Sequence, residues 1–107
     1  MVFQLLCLNL TPEPGYYKDG EYGIRIENIV IVKEVETPHQ FGDRPYYGFE
    51  HVTMVPMDRR LIDVSLLSDK EKEWVNSYHA EVWDKISPRL EKDGLAWKWL
   101  ERECAPL

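Results

Sequence analysis

Cysteine is nearly absent from this chain of 107 residues: Cys7 lies near one end and Cys104 near the other. Two such residues are too few and too far apart for a disulfide framework. Neither has another Cys or a His at zinc-ligand spacing, so no structural zinc is expected. A reduced, cytoplasmic protein is the simplest reading. Positive charge is also short, with 13 Lys and Arg against 19 Asp and Glu and a net charge of −6. That sign argues against nucleic acid and against anionic membrane surfaces, both of which call for a basic face. No apolar run approaches the roughly 20 residues of a membrane-spanning helix. The opening MVFQLLCLNL has neither the basic start nor the small-residue cleavage site of a signal peptide. Internal repeats, low-complexity tracts, a phosphate-cradling glycine loop and a Ser–His–Asp arrangement are all missing.

What remains is an ordinary globular balance, 44 % hydrophobic and 30 % charged, enough for one domain with a modest core. Residues 2–10 form an apolar run of strand length, ended by Thr11, Pro12, Pro14 and Gly15. A turn-rich stretch, PGYYKDGEYG, leads to the clearest strand in the chain, GIRIENIVIVKEVE. The two read as antiparallel neighbours joined by an elaborated loop. Residues 37–48 carry two prolines and two glycines and read as a surface loop. Phe49–Val55 reads as a short returning strand, and Leu61–Leu67 as a connector.

From Ser68 the apolar period changes. Ser68 and Glu71 form a capping box that opens a helix, on which Trp74, Tyr78, Val82 and Ile86 recur along one face. Pro88 kinks this helix or begins the next one, with Ser87 as its cap. Gly94 precedes a last helix in which Leu95, Trp99 and Leu100 are expected to face inward. The four tryptophans read mainly as core residues, and His79 reads as a packed histidine. Strands first and helices last make the class α+β.

Chemistry points to TPEPGYYKDGEYGIRIEN. Glu13 ends one strand and Glu27 is expected inside the next, amid Ile24, Ile26, Ile29 and Val30. Alternation sets Arg25 and Glu27 on one face, roughly 6.6–6.8 Å apart. Ile24, Ile26, Val30 and Val32 share the other face, expected against a core. Two readings of Glu27 stay open: an ion pair on a solvated sheet face, or one of two carboxylates converging on a hard cation such as Mn²⁺ or Mg²⁺.

EPGYYKDGEYGIRIEN closely resembles the C-terminal part of the catalytic domain of aminopeptidase P, the Xaa-Pro aminopeptidases. The resemblance continues through FEHVTMVPMDRRLIDVSLLSDKEKEWVNSYHAEVW and WLERECAPL. It covers residues 13–107, leaving 1–12 as a divergent, strand-like segment. The long tail separates the chain from creatinase, prolidase and methionine aminopeptidase. The resemblance implies the C-terminal portion of a pita-bread fold and a dinuclear manganese centre. The activity it implies is removal of an N-terminal residue from peptides whose second residue is proline. Its five metal ligands are two aspartates, one histidine and two glutamates. On the matching positions Glu13 binds one metal and handles the proton of the attacking water, Glu27 bridges both metals, and Arg25 orients the carboxylates.

The departures matter as much. The aspartate and histidine ligands precede the EPG motif in that family, and none matches a position here; His39, His51 and His79 are not at ligand positions. Pro12 stands where the family has Asp or Asn, which removes a strand N–H and puts the direction of Glu13 in question. The chain is therefore expected to be inactive alone. The competing expectation is a noncatalytic module whose uncovered sheet meets a second copy or a partner.

Overall fold

The computed structural model describes residues 9–107; the expected strand over residues 2–8, and Cys7 with it, lies outside the described residues. The chain divides into two compact units, one up to Thr53 and one from Met54 to Leu107.

In the first unit, β1 (Asn9–Leu10) pairs antiparallel with β4 (Val30–Val35), and β2 (Gly15–Lys18) pairs with β3 (Tyr22–Arg25). The elaborated loop expected between the strands is thus itself a hairpin, closed where the Glu21 N–H donates to the Lys18 carbonyl at 3.0 Å. One register runs through both pairings without slipping, from Lys18↔Tyr22 and Gly15↔Arg25 to Leu10↔Val30 and Asn9↔Ile31. Between them regular strand lapses at residues 26–29, so Glu27 lies in an interruption rather than inside a strand. The cause is on the facing chain. The Pro14 carbonyl accepts from the Ile26 N–H at 3.0 Å and the Pro12 carbonyl from the Asn28 N–H at 3.3 Å. The two prolines have no N–H to give in return, so the ladder there keeps half its bonds.

β5 (Tyr46–His51) completes a three-stranded antiparallel sheet in the order β1-β4-β5, with Val30 opposite His51 and Val35 opposite Tyr46. The returning strand therefore starts three residues before Phe49 and stops at His51, trimming the expected loop. Pairing carries a little further, because the Val52 N–H donates to the Ile29 carbonyl and the Ile29 N–H to the Thr53 hydroxyl, both at 2.9 Å. The expected core behind this sheet is not found: none of the described residues of the unit is buried. Ile24, Ile26 and Ile29 are 40–57 % exposed. The alternating residues expected against a core stay at least partly in solvent, because no second layer within the unit covers them.

The second unit has a core. The Ser68 hydroxyl accepts from the Glu71 N–H while the Glu71 carboxylate accepts from the Ser68 N–H at 2.8 Å, the expected capping box opening α1 (Asp69–Ile86). Tyr78 and Val82 from the expected stripe are buried with Leu100 and Cys104, and Met54, Met57, Trp83, Ile86 and Leu90 pack around them. Trp74, at the open end of the stripe, is half exposed and stacks on Tyr78 with ring centroids 6.0 Å apart.

Ser87 does not cap a new helix through its side chain. Its N–H closes α1 onto the Trp83 carbonyl, and Ser87–Arg89 form one 3₁₀ turn containing Pro88. In α2 (Leu95–Glu103), Leu100 is 2 % exposed but Leu95 is 92 % exposed and Trp99 lies half in solvent. Five positions turn about 140° around a helix, so Leu95 and Leu100 cannot share a face. None of the four tryptophans is fully buried; Trp83 and Trp97 meet edge-on at 5.0 Å.

Candidate metal-binding carboxylates

The hairpin register decides the site. With Pro12 bonded to Asn28 and Pro14 to Ile26, Glu13 stands opposite Glu27 at a position flanked by hydrogen bonds on both sides. In an antiparallel ladder such non-bonded pairs approach closest, with Cα atoms about 4.5 Å apart. Pro12 therefore leaves the register intact, since its carbonyl still accepts across the hairpin even without an N–H to return. Glu13 keeps its place across from Glu27.

Arg25 is the next residue on that face and binds both acids. Its Nη1 is 3.3 Å from Glu13 Oε2 and its Nε is 3.4 Å from Glu27 Oε1. All three side chains are about half exposed, so each ion pair contributes roughly 0–1 kcal/mol and is screened by salt. The two readings of Glu27 are thus not exclusive: it is in an ion pair on an open sheet face, and that pair holds two carboxylates together.

Two glycines make room for the arrangement. A methyl group on Gly15 would lie 2.8 Å from both Arg25 Cγ and the Tyr17 hydroxyl, and one on Gly23 would lie 2.8 Å from the Tyr17 ring. Tyr17 lies along the face that carries Arg25, filling the space over both glycines. Tyr16 and Tyr22 meet each other on the opposite face, centroids 6.1 Å apart. The three tyrosines cluster in the sequence, and the alternation of Gly15 and Tyr17 against Gly23 and Arg25 is the signal that separates them.

Two carboxylates offer the oxygen donors that a hard divalent cation takes. The donor type fits such an ion, and the donor number does not close a site: among the described residues, no three His, Cys, Asp or Glu gather. His39 lies in the loop between β4 and β5, His51 ends β5, and His79 is buried in α1 with Nε2 accepting from the Met57 N–H at 3.1 Å. Cys104 is a buried free thiol whose pKa burial pushes up, away from the reactive thiolate. Among the described residues no helix is long and apolar enough to cross a membrane.

Comparison with known proteins places the fold. X-prolyl aminopeptidase from Caenorhabditis elegans, described as a cytosolic enzyme with a di-nuclear active site, superposes with a TM-score of 0.77 at 37 % identity. The match covers 92 % of this chain and 16 % of that one. The fold is accordingly the C-terminal part of a pita-bread peptidase. The family model for the C-terminal region of peptidase_M24 matches residues 45–107. A probable Xaa-Pro aminopeptidase P of Coprinopsis cinerea is 61 % identical over 100 residues, 94 % of this chain and 16 % of the relative. One from Tuber melanosporum is 66 % identical over 98 residues, 92 % of this chain and 16 % of the relative. The chain belongs to the family of peptidase_M24 C-terminal regions, and over nine-tenths of its length it is similar to Xaa-Pro aminopeptidases P. It spans about a sixth of the length of those relatives.

Proposed function

We propose that this chain supplies the glutamate part of a dinuclear manganese centre that hydrolyses the bond between an N-terminal residue and a following proline. Residues 13–107 carry this part and residues 1–12 are a divergent lead-in. Glu13 and Glu27 are the metal-binding residues, and Arg25 fixes the angle between them. Manganese ions held there would lower the pKa of a water and polarise the scissile carbonyl. Glu13 would take the proton of the attacking water, Glu27 would hold the metals beside it, and Arg25 keeps both carboxylates aimed. The cytoplasm is the proposed compartment, in keeping with the cytosolic relative.

The observation that carries this reading is the placement of Glu13 opposite Glu27, with Arg25 bonded to both. Two ligands of five bind Mn²⁺ weakly, so the chain by itself is inactive. A calorimetric Mn²⁺ titration beside Glu13→Gln and Glu27→Gln, with an Xaa-Pro peptide assay, tests both statements. Weak binding that either substitution abolishes, without hydrolysis, is expected. Hydrolysis by the isolated chain, lost in Glu27→Gln, would sink the claim of inactivity; weak binding indifferent to both substitutions would sink the site.

The exposed apolar face of the first unit supports a second reading, a noncatalytic module that meets another copy of itself or a partner covering the sheet. Sedimentation of the purified chain separates the two: a concentration-dependent dimer favours the module, and a monomer at all concentrations removes self-association.

A further inference from the structure

The second unit begins with an irregular segment, Met54–Met57, whose backbone is held by side chains of α1. Consecutive residues of α1 do this. The Tyr78 hydroxyl donates to the Val55 carbonyl at 2.8 Å, and the Met57 N–H donates to His79 Nε2 at 3.1 Å. Pro56, between them, has no N–H to satisfy. His79 is wholly buried, and its Nε2 accepts, so that nitrogen carries no proton. The proton of the neutral ring is therefore on Nδ1. That atom is buried without a partner of good hydrogen-bond geometry, and the Ala105 backbone compensates it in part.

We propose that His79 is a proton-operated latch: neutral, it pins Met57 to α1, and on protonation it releases that segment. A proton on Nε2 would aim a donor at the Met57 N–H, so the imidazolium cannot keep the bond that the imidazole makes. The groups facing the ring are Arg59 from the 3₁₀ turn Arg59–Leu61, Glu103 from α2 and Tyr78 beside it on α1. Burial is the main force holding the ring neutral and Arg59 adds to it, while Ala105 and Glu103 oppose. Glu103 is occupied by Arg102, with Nη2 to Oε1 at 2.7 Å, which limits its hold on an imidazolium. The same Arg59 donates to the carbonyls of Arg102 at 3.2 Å and Pro106 at 2.8 Å, so latch and chain end share one tether.

The sign comes from the depressed folded value. The contribution of the latch is complete above the unfolded histidine pKa of 6.5 and is lost as pH falls from there toward the folded value.

Amide hydrogen exchange on the 107-residue chain, corrected for the intrinsic pH dependence of exchange, tests the proposal. Met57 protection is expected to fall about tenfold per pH unit below 6.5, while Val82 in the middle of α1 stays protected. In His79→Gln, whose side-chain oxygen can still accept from Met57, protection should become independent of pH. A ¹⁵N spectrum of the wild-type ring provides a second readout that needs no variant: Nε2 is expected to be unprotonated at pH 7. Three results overturn the latch: a proton on Nε2 at pH 7, Met57 protection that stays constant through pH 5, or loss of Met57 and Val82 protection together.

Discussion

Leu95 and Leu100 are the same residue type on the same helix, and replacing each by alanine should give opposite results. Leu100 is 2 % exposed and packs with Tyr78, Val82 and Cys104, whereas Leu95 is 92 % exposed. Truncating a buried leucine removes its transfer free energy and leaves a cavity, together about 2–5 kcal/mol. Truncating the exposed one removes almost no burial and leaves stability within about 0.5 kcal/mol, slightly offset by the higher helix propensity of alanine. A unit running from Met54 to Leu107 has roughly 3–8 kcal/mol of stability in all. Leu100→Ala therefore consumes at least about a quarter of it and can exceed the whole. Urea unfolding followed by the fluorescence of Trp83 and Trp97 is the assay. With a slope of about 1 kcal/mol/M, Leu100→Ala moves the midpoint down by about 2 M or leaves the unit unfolded, and Leu95→Ala barely moves it. Equal shifts for the two variants would refute the assignment of faces on α2.

Two further outcomes rest on the same kind of geometry. Gly15→Ala places a methyl group 2.8 Å from Arg25 Cγ, so the Arg25 Nε–H resonance should shift toward its position in Glu27→Gln as the ion pair opens; an unchanged resonance would show that the slot over Gly15 is not tight. Asp58 has its pKa lowered to about 2, chiefly by the Arg60 side chain, which bonds it at 2.6 and 2.9 Å. Its contribution is complete above the ordinary 3.8 and disappears as pH falls through about 2; carboxyl ¹³C titration should show that midpoint, and Arg60→Ala should return it toward 3.8.

Local signals were legible where a few neighbouring residues decide the outcome. The capping box at Ser68 and Glu71 marks the start of α1 because both partners lie within one turn. Glu13, Arg25 and Glu27 were identified from the EPG and RIEN motifs, and alternation placed Arg25 and Glu27 on one face. Other features depend on residues distant in the chain. The interruption at Glu27 is imposed by Pro12 and Pro14 across the ladder, and no property of Ile26–Ile29 announces it. Leu95 and Trp99 look inward by composition, yet the orientation of α2 is set by Leu100 and Cys104 meeting Tyr78 and Val82.

The sequence by itself determined the α+β order and the helix starts near Ser68 and Gly94, because neighbouring residues encode each; the two candidate carboxylates and their arginine come from the resemblance of the EPG and RIEN motifs. Only the tertiary structure decided that Glu13 faces Glu27 despite Pro12, since that rests on a carbonyl accepting across the hairpin. It alone revealed His79 as the partner of Met57, and the apolar face of the first unit as uncovered, because burial is a property of what packs against a residue and not of the residue itself.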